Sequence, residues 1–146
     1  MPAEAMPLVA NPPSPFYRVA LKALILDDRQ RILVTKNDRN LYELPGGGWE
    51  HNESIAEGLA RELKEEVGVS VKVDADMPRF VFQALSHHGY QALRIVYDAR
   101  MLDPSQTLTP ADGMVDARFV EKDEFLQLPL VVTDEPIKQY TDYIWS

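Results

Sequence analysis

Three features of the sequence predict an α/β fold. Segments with apolar residues at every second position read as strands. One long segment with apolar residues at threes and fours reads as an amphipathic helix set among them. A length of 146 residues supplies one core and not two. Hydrophobic residues at 45% and charged residues at 26% match ordinary globular usage, which excludes a disordered or collagen-like chain.

Five prolines within residues 1–15 fix φ repeatedly, so this stretch is expected to be an extended arm preceding a domain over 16–146. Val19, Leu21, Ala23 and Ile25 alternate around Lys22 and predict a strand. Asp27 to Arg31 is a polar turn and Ile32 to Thr35 a returning strand, together a predicted hairpin. Leu41 to Leu44 is a short strand, stopped by Pro45 and the glycines 46–48, which are expected to be a bend. Ser54 with Glu57 three residues on forms a capping box, and Ile55, Ala56, Leu59, Ala60, Leu63 and Val67 make one buried stripe closed by Gly68. Val69 to Val73, Phe80 to Leu85, Leu93 to Tyr97 and Ala117 to Val120 are further strands, with His87, His88 and Gly89 turning the chain. Lys122 to Leu126 and Glu135 to Ile144 are predicted helices, the second with Asp134 available as its cap.

The chain has no cysteine, which removes disulfides, thiolate metal sites and cysteine nucleophiles. Fifteen basic against 23 acidic side chains give a net charge of −8, which repels nucleic acid. No apolar run approaches the length of a membrane span, and the start resembles no signal peptide, so a cytoplasmic protein without membrane contact is expected. A homodimer stays open.

Six glutamates fall between Glu50 and Glu66, against Arg61 and Lys64. At about 100° per residue, Glu66 lies about 40° from Glu62 and Glu65 about 60° the other way, so all three carboxylates leave one flank of the helix. A solvated acidic face is the bland explanation. A divalent cation among the oxygens is the other, and hard carboxylates without thiols select Mg2+, or Mn2+, over zinc or copper.

The segment GGWEHNESIAEGLARELKEEVGV resembles the signature of the Nudix hydrolases: Gly47, five residues, Glu53, seven residues, then Arg61-Glu62-Leu63, one residue, Glu65-Glu66, one residue, Gly68-Val69. Every fixed position is filled. The resemblance implies an α/β/α sandwich with a mixed sheet, Glu62, Glu65 and Glu66 as metal ligands, the Gly47 carbonyl as a further one, and a Glu53–Arg61 pair holding the loop to the helix. It also implies Mg2+-dependent attack of water on a pyrophosphate in a nucleoside diphosphate linked to another group, such as a nucleoside triphosphate or ADP-ribose. Glu65 or Glu66 is the expected general base, with Arg61 beside them. Asp112, Asp116 and Glu121 are downstream alternatives, Asp112 first because its loop is flanked by proline and glycine.

For the small-molecule nucleotide, Trp49 and Tyr42 are candidate stacking residues, with Phe82 and Tyr90 behind them; each is equally a core aromatic. The stretch TDEPIKQYTDYI resembles the end of MutT-type members, where an asparagine reads the base. Asp134 stands at that place and is either a reader of the substrate or a helix cap. His87 and His88 are expected to be exposed at their turn. Rival functions are a non-catalytic nucleotide-binding module, an RNA 5′-end pyrophosphohydrolase, and isoprenoid diphosphate chemistry, the last weakened by the absence of cysteine.

Overall fold

A computed structural model describes residues 14–145. Of the expected N-terminal arm, residues 1–13 lie outside the described residues. The elements are β1 (Arg18–Leu24), β2 (Ile32–Asn37), β3 (Tyr42–Glu43), β4 (Gly46–Gly48), α1 (Ile55–Val67), β5 (Val71–Val73), β6 (Phe80–Leu85), β7 (Gln91–Met101), β8 (Met114–Val120), α2 (Lys122–Gln127), a 3-10 helix (Glu135–Tyr140) and α3 (Thr141–Ile144).

β1 runs parallel to β7, from Arg18 opposite Ala92 to Leu24 opposite Asp98, and antiparallel to β4. β5 and β6 pair antiparallel with β7, completing a mixed five-stranded sheet, while β2 joins β3 and β8 in a second sheet of three. Where one core was expected, alternate residues of β1 and β2 feed two, because each strand buries both of its faces. Leu21, Ala23, Ile25 and Leu33 pack with Leu59, Leu63 and Val67 under α1. Leu24, Ile32 and Val34 pack on the opposite side with Phe80, Phe82, Val96, Phe125, Ile137 and Ile144, beneath the C-terminal helices. The architecture is the α/β one expected.

Three local expectations need correction. The β1–β2 hairpin does not form along its length. The turn is real, with Asp27 Oδ1 accepting the N–H groups of Arg29 and Arg31, but only Leu33 N–H to Ile25 O and a bridge between Leu26 and Ile32 join the strands. Both edges of β1 are already occupied by β4 and β7, so β2 must leave for the other sheet. The glycines form strand β4 instead of a free bend, because the edge of β1 satisfies their backbone groups. The predicted C-terminal helix is a 3-10 helix followed by one α-helical turn: Ile137 and Tyr140 are three residues apart, the 3-10 repeat, and Tyr140 stacks on Phe80 at 4.4 Å.

α1 matches its expectation in both caps. The Ser54 hydroxyl accepts the Glu57 N–H, the Glu57 carboxylate accepts the Ser54 N–H, and Gly68 ends the helix at φ 75°.

Candidate active site

The β1–β4 register, Leu21 opposite Gly47 and Lys22 opposite Gly46, brings the glycine strand against the last turns of α1. Gly46 has φ 143°, and a Cβ there would lie 2.1 Å from the Leu21 carbonyl oxygen, so only glycine fits. At Gly47 a Cβ would fall 2.7 Å from Glu62 Oε1. The missing side chain is where the Glu62 carboxylate sits.

The loop from Trp49 to Ser54 is fixed by Glu53. Arg61 Nε and Nη2 donate to its two oxygens at 3.1 and 2.9 Å, the Glu50 N–H donates to Oε1 at 2.9 Å, and Trp49 Nε1 donates to its carbonyl at 3.0 Å. The bonds from Arg61, followed by that from Glu50, hold the Glu53 carboxyl below its ordinary value. This is the expected loop-to-helix pair.

Glu62 and Glu66 share a hydrogen bond, and burial pushes the Glu66 carboxyl up to about 9, with Glu43 and Glu62 adding to the rise against the pull of Lys22. The Glu66 side chain is 4% exposed and its Oε2 accepts the Gly46 N–H at 3.5 Å. Glu65 is turned away. Its side chain is 45% exposed, and Arg61 Nη1 bridges Glu62 Oε1 at 3.1 Å and Glu65 Oε2 at 3.3 Å. Among the described residues no three Asp, Glu, His or Cys side chains surround a common point as a metal cage. The donor set nevertheless suits a divalent cation: hard oxygens only, two of them facing across a single proton that a cation can replace.

The remaining candidates separate. Trp49, 41% exposed, lines a cavity of about 660 Å3 with Tyr17, Arg18, Glu50, Tyr90 and Arg94. Tyr42 is not a free platform: its half-buried ring packs against the core, with the Arg118 guanidinium 5.6 Å from its centroid. Phe82 is core. Asp112 is exposed at φ 55° on a loop tied to the end of α1 by Ala111 N–H to Glu66 O and Thr109 N–H to Val67 O. Its carboxylate bonds no described residue. Asp116 accepts the Ala117 N–H and faces Arg118, and Glu121 lies at the surface 4.0 Å from Arg29. The Asp134 side chain does not cap the 3-10 helix. Fully buried, it accepts the Leu44 N–H at 3.0 Å, with Lys22 Nζ 3.5 Å away.

Lys22 is the residue that sequence reasoning passed over. Its ammonium, 2% exposed, bonds Glu43 Oε1 at 3.2 Å and the Leu44 carbonyl at 2.9 Å. Burial would lower its pKa, but Asp134 and Glu43 outweigh burial and hold it above the ordinary lysine value. A lysine in the middle of an apolar strand was the available signal. Arg94 was also missed, and nothing in an alternating strand singles it out.

The NUDIX domain family model matches residues 16–140. The chain belongs to the Nudix family. A MutT-like protein of Streptomyces ambofaciens is 36% identical over 61 residues, covering 41% of this chain and 40% of that protein. The matches span 38 to 56% of the length of the curated relatives. Among solved structures, a UDP-X diphosphatase superposes with a TM-score of 0.71 at 23% identity over 89% of this chain and 62% of that one. The E. coli ORF135 protein superposes with a TM-score of 0.70 at 25% identity, over 90% and 94%. Nudix hydrolases generally use divalent cations and act on small nucleotides. No described helix of this member is long and apolar enough to cross a membrane.

Proposed function

We propose that this chain is a Mg2+-dependent pyrophosphohydrolase that cleaves the phosphoanhydride of a nucleoside diphosphate linked to another group. One observation carries the reading: the Glu66 carboxylate accepts the N–H of Gly46, where only glycine fits, and the Glu62 carboxylate fills the space that a side chain at Gly47 would take. Convergent, half-buried carboxylates oppose stability, whereas they serve a cation site. Glu62, Glu65, Glu66 and the Gly47 carbonyl would hold Mg2+, and Mn2+ could replace it. When bound, the cation neutralises the diphosphate and acidifies the attacking water.

The chain's own residues do the rest. Trp49 and Tyr90 flank the nucleoside in the larger cavity, whose lining sets Arg18 and Arg94 beside Glu50 and Glu53. Glu65 is the general base. It alone of the three carboxylates is open to water, and its Oε1, the oxygen to which Arg61 makes no bond, takes the water proton.

The test is a screen of the purified chain with Mg2+ against ADP-ribose, nucleotide sugars and nucleoside triphosphates, reading released nucleoside monophosphate. Turnover that disappears with chelator and returns with Mg2+ is expected. A chain that binds these nucleotides but turns over none would be a binding module.

A further inference from the structure

A second cavity, of about 430 Å3, adjoins the first and shares Tyr90 and Arg94 with it. Its wall brings Arg39 from the β2–β3 turn, His87 and His88 from the β6–β7 turn, and Arg94 from β7 to one space. Arg39 forms no ion pair with a described residue. Arg94 donates Nη2 to the Thr133 hydroxyl and leaves Nη1 free, with Asp134 behind its Nε at 3.7 Å. The only carboxylate on the wall, Glu43, is already neutralised by Lys22. Arginines from two segments and imidazoles from a third thus converge within a molecule of net charge −8.

Both turns are pre-formed. Asn37 Oδ1 accepts the N–H groups of Arg39 and Leu41 at 2.9 and 3.1 Å, and the Ser86 hydroxyl accepts those of His88 and Tyr90 at 3.2 and 3.4 Å. The His87 and His88 rings lie 3.9 Å apart, His88 stacks towards Tyr90, and the Arg18 guanidinium covers the Tyr90 ring at 5.1 Å. A continuous ridge of cations and rings therefore runs from one cavity to the other. His88, a little burial and Arg39 together hold the His87 imidazole below its ordinary value, the sign of a crowded positive field.

We propose that this second cavity receives a phosphomonoester on the ribose of the substrate, so that the preferred nucleotides carry one phosphate beyond the scissile diphosphate. The inference rests on the nucleotide reading above. Tyr90 belongs to both cavities, so a nucleoside against it in the larger one turns a ribose substituent towards Arg94 and Arg39. Guanidinium and imidazole N–H donors suit a dianionic, multiply accepting group.

Calorimetric titration with 2′,5′-ADP, 3′,5′-ADP and 5′-AMP tests this without turnover. One of the two bisphosphates is expected to bind about tenfold or more tightly than 5′-AMP, as befits two charge-assisted hydrogen bonds. Arg39→Ala combined with His88→Ala should bring the ratio close to one, and Arg39→Gln alone should reduce it severalfold if the double variant does not fold. Equal binding of all three nucleotides by the unaltered protein overturns the proposal, as does a preference that survives these substitutions. A preference that is lost as expected, in a protein that hydrolyses no diphosphate, leaves this cavity assigned and removes the hydrolase reading.

Discussion

Arg61 grips both oxygens of Glu53, eight residues earlier, and with its remaining amino group spans Glu62 and Glu65. One guanidinium thus closes the loop onto the helix and ties together two of the proposed ligands, Glu62 and Glu65. Replacement by alanine removes both functions. Arg61→Ala should lower Tm by a few degrees and reduce turnover, and Arg61→Lys should recover little of either, because an ammonium cannot make the bidentate contact. Thermal unfolding together with steady-state assay separates this from a purely catalytic role, in which Tm would not move.

The Glu66 carboxyl, raised by burial to about 9, makes the metal-free protein sensitive to alkali. Its folded value lies above its unfolded one, so the folded state binds more protons between roughly pH 4.5 and 9. The associated stability is complete below the unfolded value and is lost as pH rises through the folded one. Denaturation in chelator should show stability falling across this window, and Glu66→Gln should flatten the slope while lowering turnover by about a hundredfold or more. Mg2+ binding near pH 7 should release a proton, measurable by calorimetry in buffers of different ionisation enthalpy.

Much of this site was legible because its chemistry is local. Glu53, Arg61, Glu62, Glu65 and Glu66 lie within 14 residues, on a loop and helix whose caps and periodicity are written in adjacent positions. The packing of Leu63 follows from that alone, and the Glu53–Arg61 pair from the resemblance to the Nudix signature. Strand partners were less legible, because β1 takes its neighbours from β4 and from β7, and an alternating pattern names a face without naming a partner. Asp134 failed for the same reason. Its cap-like position before Glu135-Pro136 is a local signal, but its carboxylate is taken by Lys22 and the Leu44 amide, 112 and 90 residues away. The two cavities are likewise assembled from turns far apart in the chain.

Lys22 and Asp134 should behave as a buried pair. Lys22→Met removes the ammonium that Asp134 and Glu43 share, leaving Asp134 only Arg94 Nε at 3.7 Å as a cation, and should cost about 3–5 kcal/mol, read as a fall in the denaturation midpoint. Lys22→Met with Asp134→Asn should recover a substantial part, since the second change removes the uncompensated charge. Additive losses in the two single variants and the double one would show that the charges are independent.

Trp49 is exposed, whereas Trp145 is half-buried with its ring 5.8 Å from Phe125. Nucleotide binding should therefore quench the more solvent-exposed emission and leave the other. Trp49→Phe should abolish that change and raise KM several-fold with less effect on kcat, the mark of lost binding common to ground and transition states.

Gly46 and Gly47 are neighbours in one strand, yet alanine should affect them in opposite ways. At position 46 the backbone itself is the obstacle: φ is 143° and the new Cβ would strike the Leu21 carbonyl of the partner strand, so Gly46→Ala should unfold the protein or lower Tm steeply. At position 47 φ is ordinary and the obstacle is the Glu62 carboxylate, a flexible end that can swing aside. Gly47→Ala should keep Tm in chelator nearly unchanged while weakening Mg2+ by about tenfold or more, because Glu62 can no longer rest where it meets Glu66. Metal titrations and melting curves on the two variants give the contrast directly. Unaltered Mg2+ affinity in a folded Gly47→Ala protein would remove Glu62 from the ligand set.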